Sequence, residues 1–252
     1  MTARGFFVSG TDTDVGKTVV GCALVRGLRS AGIDVGVMKP FETGVDPDRG
    51  PLDAIALSTA AGDPDPLDLV CPIRFALPAA PNVAAAAEGR TVDLEIVRQV
   101  YTELSARHEF MVVEGAGGLL VPTTDTATMA DLALDLGLPV LIVARGRLGT
   151  INHTRLSVEE ALRRGLDLVG VVISHDRELS HADAENLGSL RRWLGDRLLL
   201  EIPVQARPED APIDARNIAQ LVERLDRLQA KERPGSSLAL PGARSADSFG
   251  TS

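Results

Sequence analysis

Gly10-Thr11-Asp12-Thr13-Asp14-Val15-Gly16-Lys17-Thr18 is the stretch that decides the fold. It follows the apolar run Phe6-Phe7-Val8 and opens into Val19 to Arg29, where apolar residues recur at helical spacing. Strand, glycine-bounded loop, Lys-Thr and helix form the context that a phosphate-binding P-loop requires. Backbone N–H groups from Asp14 through Val15, Gly16, Lys17, Thr18 and Val19 would point at phosphates, and the helix dipole adds partial positive charge there. Lys17 would reach the outer phosphates and the Thr18 hydroxyl would hold Mg²⁺. Five residues separate Gly10 from Gly16, one more than in the common motif, so this is a variant loop. A nucleoside triphosphate is the expected ligand.

The rest of the composition fits that ligand. The 252 residues, 44% apolar, supply a sizeable core. No apolar run approaches the ~18 residues of a membrane span, and the N-terminus lacks a signal-peptide pattern. A cytoplasmic enzyme is the expectation. Cys22 and Cys71 fit no metal spacing and read as reduced core residues. The net charge of −9 leaves no basic stripe for a nucleic acid. An anionic nucleotide must therefore meet local positive charge, with Lys17, Lys39 and a metal ion as candidates.

Apolar strand-like runs alternate with amphipathic helical ones. Strands are expected at Phe6–Ser9, Asp34–Met38, Phe110–Val113, Val140–Ala144, Leu168–Ser174 and Leu198–Ile202. Helices are expected at Lys17–Ala31, Asp53–Ala61, Leu94–Arg107, Met129–Leu136, Asn152–Arg164, Ala182–Leu194 and Ala215–Ala230. Several strands are apolar without alternation, as when helices cover both faces of a parallel sheet. The fold class is α/β: a doubly wound, mostly parallel sheet with helices on both faces, of P-loop NTPase type. One domain over residues 1–230 is expected. Residues 231–252, rich in Pro, Gly, Ser and Ala, read as a disordered tail.

In such sheets ligands bind outside the carboxyl ends of the strands, and three more strand ends carry suitable chemistry. Lys39-Pro40-Phe41-Glu42-Thr43-Gly44 follows the second strand, and both Lys39 and Lys17 are expected to line a solvent-accessible site. Glu114-Gly115-Ala116-Gly117-Gly118 follows Phe110–Val113. A carboxylate leaving a buried strand needs a cationic partner, and hard Mg²⁺ is the natural one, with glycines letting backbone approach phosphate. Arg147-Leu148-Gly149-Thr150-Ile151-Asn152-His153-Thr154 either binds an anion at a helix N-terminus or is a simple capped turn. Asp53, before Ala54-Ile55-Ala56-Leu57, is either a helix N-cap or a metal ligand. His108, His153, His175 and His181 show no metal or triad spacing and read as surface or turn residues.

Six motifs now stand in one order: G-T-D-T-D-V-G-K-T, K-P-F-E-T-G, L-D-A-I-A-L, V-V-E-G-A-G-G-L-L-V-P, L-G-T-I-N-H-T and E-I-P. The chain resembles the ATP-dependent dethiobiotin synthetases over Phe6 to Gln205, including the long P-loop spacing. The resemblance implies a homodimer that closes a cyclic urea on 7,8-diaminopelargonate with CO₂ (or bicarbonate) and ATP, with Mg²⁺. It implies that Thr13, Lys17 and Lys39 act catalytically on the carbamate and the γ-phosphate, and that Thr43 binds substrate where the family usually has Ser. Thr18, Asp53 and Glu114 would hold Mg²⁺, which turns Asp53 towards metal. Gly149, Thr150, Ile151 and Asn152 would bind the substrate's distant carboxylate across the dimer interface.

The nucleotide would lie along Asp14–Val19 and Glu114–Gly117, with its base near Ser174, His175, Pro203, Val204 and Gln205. The family often has Asn where this chain has Ser174-His175, and the segment after Pro203 is only loosely similar. Two alternatives accompany this reading: an amide-forming ligase of the cobyrinate type and a P-loop switch ATPase. The first normally adds a glutaminase domain with a nucleophilic cysteine. The second usually carries an early loop lysine, where this chain has Thr11-Asp12-Thr13.

Overall fold

The structure is a computed structural model and describes residues 4–62, 65–204 and 213–231. In chain order the elements are β1 (Arg4–Gly10), α1 (Lys17–Ser30), β2 (Val35–Met38), β3 (Phe41–Thr43), α2 (Leu52–Ala61) and α3 (Leu67–Val70). Then come β4 (Ile73–Phe75), α4 (Pro81–Ala87), α5 (Leu94–Arg107), β5 (Phe110–Gly118), α6 (Met129–Asp135) and β6 (Val140–Arg145). The last elements among the described residues are α7 (Thr150–Arg163), β7 (Leu168–Ser174), α8 (His181–Leu194), β8 (Leu198–Ile202) and α9 (Ala215–Lys231).

Six strands form one sheet in the order β2-β5-β1-β6-β7-β8, and every pairing is parallel. Apolar runs without alternation here mean burial on both faces. Phe6, Val8, Phe110, Val112, Leu141 and Val143 face one core with α1, α2 and α9. Their chain neighbours Phe7, Met111, Val113, Val140 and Ile142 face a second core with α5, α6, α7 and α8. Both faces being covered, the strand period of two still operates, but between two apolar cores. The expected doubly wound α/β fold is the one observed. Cys22 and Cys71 are buried thiols.

Because β1 pairs with β5 on one side and β6 on the other, the connections leaving β1 and its neighbours diverge there, which opens a crevice at the strands' carboxyl ends. A second, two-stranded parallel sheet joins β3 to β4, and with α3 and α4 it was not foreshadowed. β5 also runs further than expected, through Gly118 rather than stopping at Val113. Val8 pairs with Glu114 and Gly10 with Gly118, so three residues bulge opposite Ser9. Glycine permits this: Gly117 has φ 62°, and a Cβ on Gly115 would strike the Phe7 ring. The expected tail, 231–252, lies outside the described residues beyond Lys231.

His108 departs from its reading as a surface or turn residue. It is buried, with Nδ1 3.0 Å from Asp34 Oδ1 and Nε2 2.7 Å from Asp65 Oδ2. Burial acts against its charge, but the two carboxylates outweigh that and raise its pKa.

Candidate active site

The long P-loop is held at each step. Thr11 N–H donates to the Val143 carbonyl at 2.9 Å, and Asp12 Oδ1 accepts from Thr13 N–H at 2.7 Å. Asp14 then turns left-handed at φ 54°, a conformation that costs about 1 kcal/mol for a residue with a Cβ. Arg145 Nη2, from the end of β6, donates to the Thr13 carbonyl at 2.8 Å. The extra residue is thus taken up in a turn tied to β6. Gly16, at φ 91°, starts α1 with no side-chain cap, which leaves first-turn amides to a ligand. A Cβ on Gly16 would run into Ser174 Oγ.

A cavity of about 350 Å³ sits above this turn, and Thr13, Lys17, Thr18, Lys39, Thr43 and Asp53 all line it. Lys39 follows β2, Asp53 stands in the first turn of α2 and Glu114 lies within β5, and the fold brings them to one point. Lys39 Nζ lies 2.9 Å from Asp53 Oδ2 and 2.5 Å from Glu114 Oε1. Thr18 Oγ1 donates to Glu114 Oε1 at 3.0 Å. Glu114 has no exposed surface, and its Oε2 has no hydrogen-bond partner.

The lysines are more enclosed than the sequence reading held. Lys39 is 3% exposed and Lys17 is 8% exposed. The reason is Lys39's pairing: an ammonium held by two carboxylates tolerates burial that an unpaired one would not. Burial works against the Lys39 charge, yet Glu114 and Asp53 raise its pKa above the ordinary lysine value. For Lys17 burial prevails and lowers the pKa, with Glu114 opposing and Lys39 adding to the shift. Burial alone would raise the Asp53 pKa, but Lys39 brings it below the usual carboxylate value.

Asp53 does not cap α2. The N-cap residue is Pro51, without a side-chain cap, and Asp53 stands in the first turn. Its carboxylate goes to Lys39 instead. The cap comes from Glu42, which sequence reasoning missed: its two carboxylate oxygens accept from Asp53 N–H and Ala54 N–H, each at 3.0 Å. A proline at the N-cap of an acid-bearing helix was the available signal. Arg145 was missed too, although a strand-terminal arginine at this sheet edge was visible.

The remaining expected residues lie apart from the 350 Å³ cavity or at its edge. Ala116 and Gly117 line it, and Val15 is buried in the core beneath. Gly149 is the left-handed N-cap of α7 (φ 94°), and Thr150 is buried with its hydroxyl 3.2 Å from that of Thr154. Within one chain, Gly149, Thr150, Ile151 and Asn152 do not line that cavity. They precede His153 and Leu156, which help to line a second cavity of about 410 Å³ together with Thr11, Thr13 and Val121. Thr13 borders both cavities.

Ser174 is buried at the end of β7 against Gly16. His175 N–H donates to the Ile202 carbonyl at 3.0 Å, and its Nε2 is 3.1 Å from Glu201 Oε2. Pro203 and Val204 follow β8, with Val204 exposed; Gln205 lies outside the described residues. Among the described residues no cluster of three His, Cys, Asp or Glu side chains has metal-binding geometry, and no helix is long and apolar enough to cross a membrane.

Comparison with known proteins identifies the family. A family profile described as an AAA domain matches residues 4–210. An ATP-dependent dethiobiotin synthetase of Anaeromyxobacter dehalogenans (strain 2CP-C) is 56% identical over 171 residues, covering 68% of this chain and 76% of that protein. One from Bacillus licheniformis is 43% identical over 197 residues, covering 78% and 84%. Among solved structures, the MinC:MinD cell division complex of Aquifex aeolicus aligns with TM-score 0.51 at 13% identity, over 97% of this chain and 100% of that one. A plasmid partition protein of Borrelia burgdorferi B31 bound to AMPPNP aligns with TM-score 0.52 at 11% identity, over 92% and 100%. At such low identity the structures show shared fold alone. The sequence relatives show more: this chain is an ATP-dependent ligase of biotin biosynthesis and belongs to the dethiobiotin synthetase family.

Proposed function

We propose that the chain closes a cyclic urea on 7,8-diaminopelargonate, using CO₂ and ATP with Mg²⁺, as one domain over residues 1–230 acting in the cytoplasm. The observation that carries this is the convergence of Lys17, Thr18, Lys39, Asp53 and Glu114 at the P-loop. Thr18, Asp53 and Glu114 form an oxygen donor set of the kind hard Mg²⁺ prefers. Glu114 Oε2, buried without a partner, is an acceptor left for a cation. When bound, the ion would neutralise phosphate charge.

The chain's own residues position the reactants. One substrate amine, unprotonated, adds to CO₂ and loses a proton to become a carbamate. Thr13, Lys39 and Thr43, lining one cavity, hold that carbamate beside the γ-phosphate. A carbamate oxygen attacks the γ-phosphorus as its bond to the bridging oxygen breaks and ADP departs. Lys17 and Lys39 balance the charge that spreads over the transferring oxygens. The second amine then attacks the carbamoyl carbon, loses its proton, and expels phosphate. No side chain forms a covalent bond; catalysis is positioning and charge.

Thr13 borders both cavities, so the substrate's aliphatic chain extends from the phosphate cavity into the one bordered by Val121 and Leu156. Leu120 and Leu156, which line that second cavity, stand 56% and 58% exposed. Such an apolar rim favours cover by a second copy. In the homodimer the partner's α7 N-terminus would present its amides to the far carboxylate. The sequence relatives are dethiobiotin synthetases, so the switch-ATPase and cobyrinate-type alternatives carry no support beyond fold.

The test is product formation followed by mass spectrometry, with phosphate release measured in parallel. Diaminopelargonate, bicarbonate, Mg²⁺ and ATP together should give dethiobiotin and one phosphate per product. Phosphate release indifferent to diaminopelargonate and bicarbonate would overturn the reading.

A further inference from the structure

Glu42 is a constrained carboxylate at the site without a role in the chemistry above. It is buried and borders the phosphate cavity, yet both its oxygens are engaged by the amides of Asp53 and Ala54. Those amides, and no group of the chemistry above, are the partners its oxygens meet. Its geometry points elsewhere. In α2 those two residues occupy the second and third helical positions, whose amides an N-cap side chain normally satisfies. Pro51 holds the N-cap place and has no side-chain acceptor. Glu42 supplies the missing cap from another element, and its charge suits the positive end of the helix.

This connection closes a ring. Lys39 leaves β2, Glu42 lies in β3, and the chain returns at Asp53, whose carboxylate meets Lys39 Nζ at 2.9 Å. Asp53 is thereby held from two sides: its carboxylate by Lys39 Nζ and its backbone N–H by the Glu42 carboxylate. Without Glu42 the first turn of α2 would rest on Pro51 alone, and that turn carries the Asp53 carboxylate.

We propose that Glu42 is a positioning residue that caps α2 from β3 and so fixes Asp53 for cation binding. The proposal rests on the reading of Asp53 as a Mg²⁺ ligand. Mn²⁺ is the probe, titrated calorimetrically into the full-length protein with a non-hydrolysable ATP analogue, so the readout does not depend on turnover. Glu42→Ala should weaken Mn²⁺ binding roughly tenfold or more, as loss of a ligand's supporting partner does. Glu42→Gln keeps one carbonyl acceptor and should fall between Glu42→Ala and the wild type; it also serves if Glu42→Ala does not fold. Adding Pro51→Ser to either variant gives α2 its own cap on one of those two amides and should recover part of the lost affinity.

Asp53→Asn, measured alongside, separates two failures. If it leaves Mn²⁺ binding unchanged, the reading of Asp53 falls and the proposal with it. If it weakens binding while Glu42→Ala and Glu42→Gln merely lower the melting temperature, Glu42 is only a structural cap and the proposal alone is overturned.

Discussion

Lys39→Met should weaken the fold as well as the chemistry, and the structure says by how much. The substitution keeps most of the side-chain volume and removes one charge. What remains is Glu114, with no exposed surface, its Oε1 bonded to the Thr18 hydroxyl and its Oε2 without a partner. Breaking a buried ion pair on one side costs about 3–5 kcal/mol, because the other charge stays desolvated. Asp53 contributes much less, since its side chain is 44% exposed and water can screen it. For a chain of this size 1 kcal/mol moves the melting temperature by roughly 2–4 °C, so a fall of about 10 °C is expected in metal-free buffer. Two controls follow. Lys39→Met with Glu114→Gln removes the stranded charge and should recover most of the loss, and Mg²⁺ should stabilise Lys39→Met more than the wild type. Turnover should fall by ~10²-fold or more in Lys39→Met, since a charge facing the transition state is gone. The assay is thermal unfolding with and without EDTA, beside single-substrate kinetics. A fall below about 2 °C, or an equal fall in the double variant, would refute the argument from buried charge.

Asp53→Asn should raise the Mg²⁺ concentration for half-maximal turnover severalfold; because Glu42 and not Asp53 caps α2, an unchanged requirement would return Asp53 to a pairing role with Lys39. His108, with its pKa raised by Asp34 and Asp65 against burial, stabilises the fold fully below the ordinary histidine pKa of about 6.5. That contribution is lost as pH rises through the raised value, so urea midpoints should drop above neutral pH in the wild type and stay flatter in His108→Gln. GTP or CTP should support turnover within about tenfold of ATP, a gap of ~1.4 kcal/mol, because phosphate contacts are common to all three; a preference above a hundredfold refutes this. Ser174→Asn should lower affinity for every triphosphate in direct binding measurements, since the added atoms would press on Gly16; a gain in ATP selectivity alone would show that the side chain reaches the base.

What the sequence discloses depends on how local the physics is. The P-loop was legible because its donors are consecutive backbone amides, and six strands were legible because Phe6, Phe7, Val112 and Val113 have apolar neighbours on both faces. Lys39 and Glu114 are 75 residues apart, yet the rule that parallel strands gather ligands at their carboxyl ends brings both into view. β3 and β4 span three residues each, too few for a period to declare itself. His108 was misread because its partners Asp34 and Asp65 lie 74 and 43 residues away, and no pattern links them. Asp53 was ambiguous for a more instructive reason. The same residue can cap a helix or face a cation, and the choice is made eleven residues earlier, at Glu42. Once Glu42 takes the α2 amides, the Asp53 carboxylate is released to Lys39 and to the cavity. A supporting residue that looks dispensable in the sequence therefore determines which of two roles its neighbour plays.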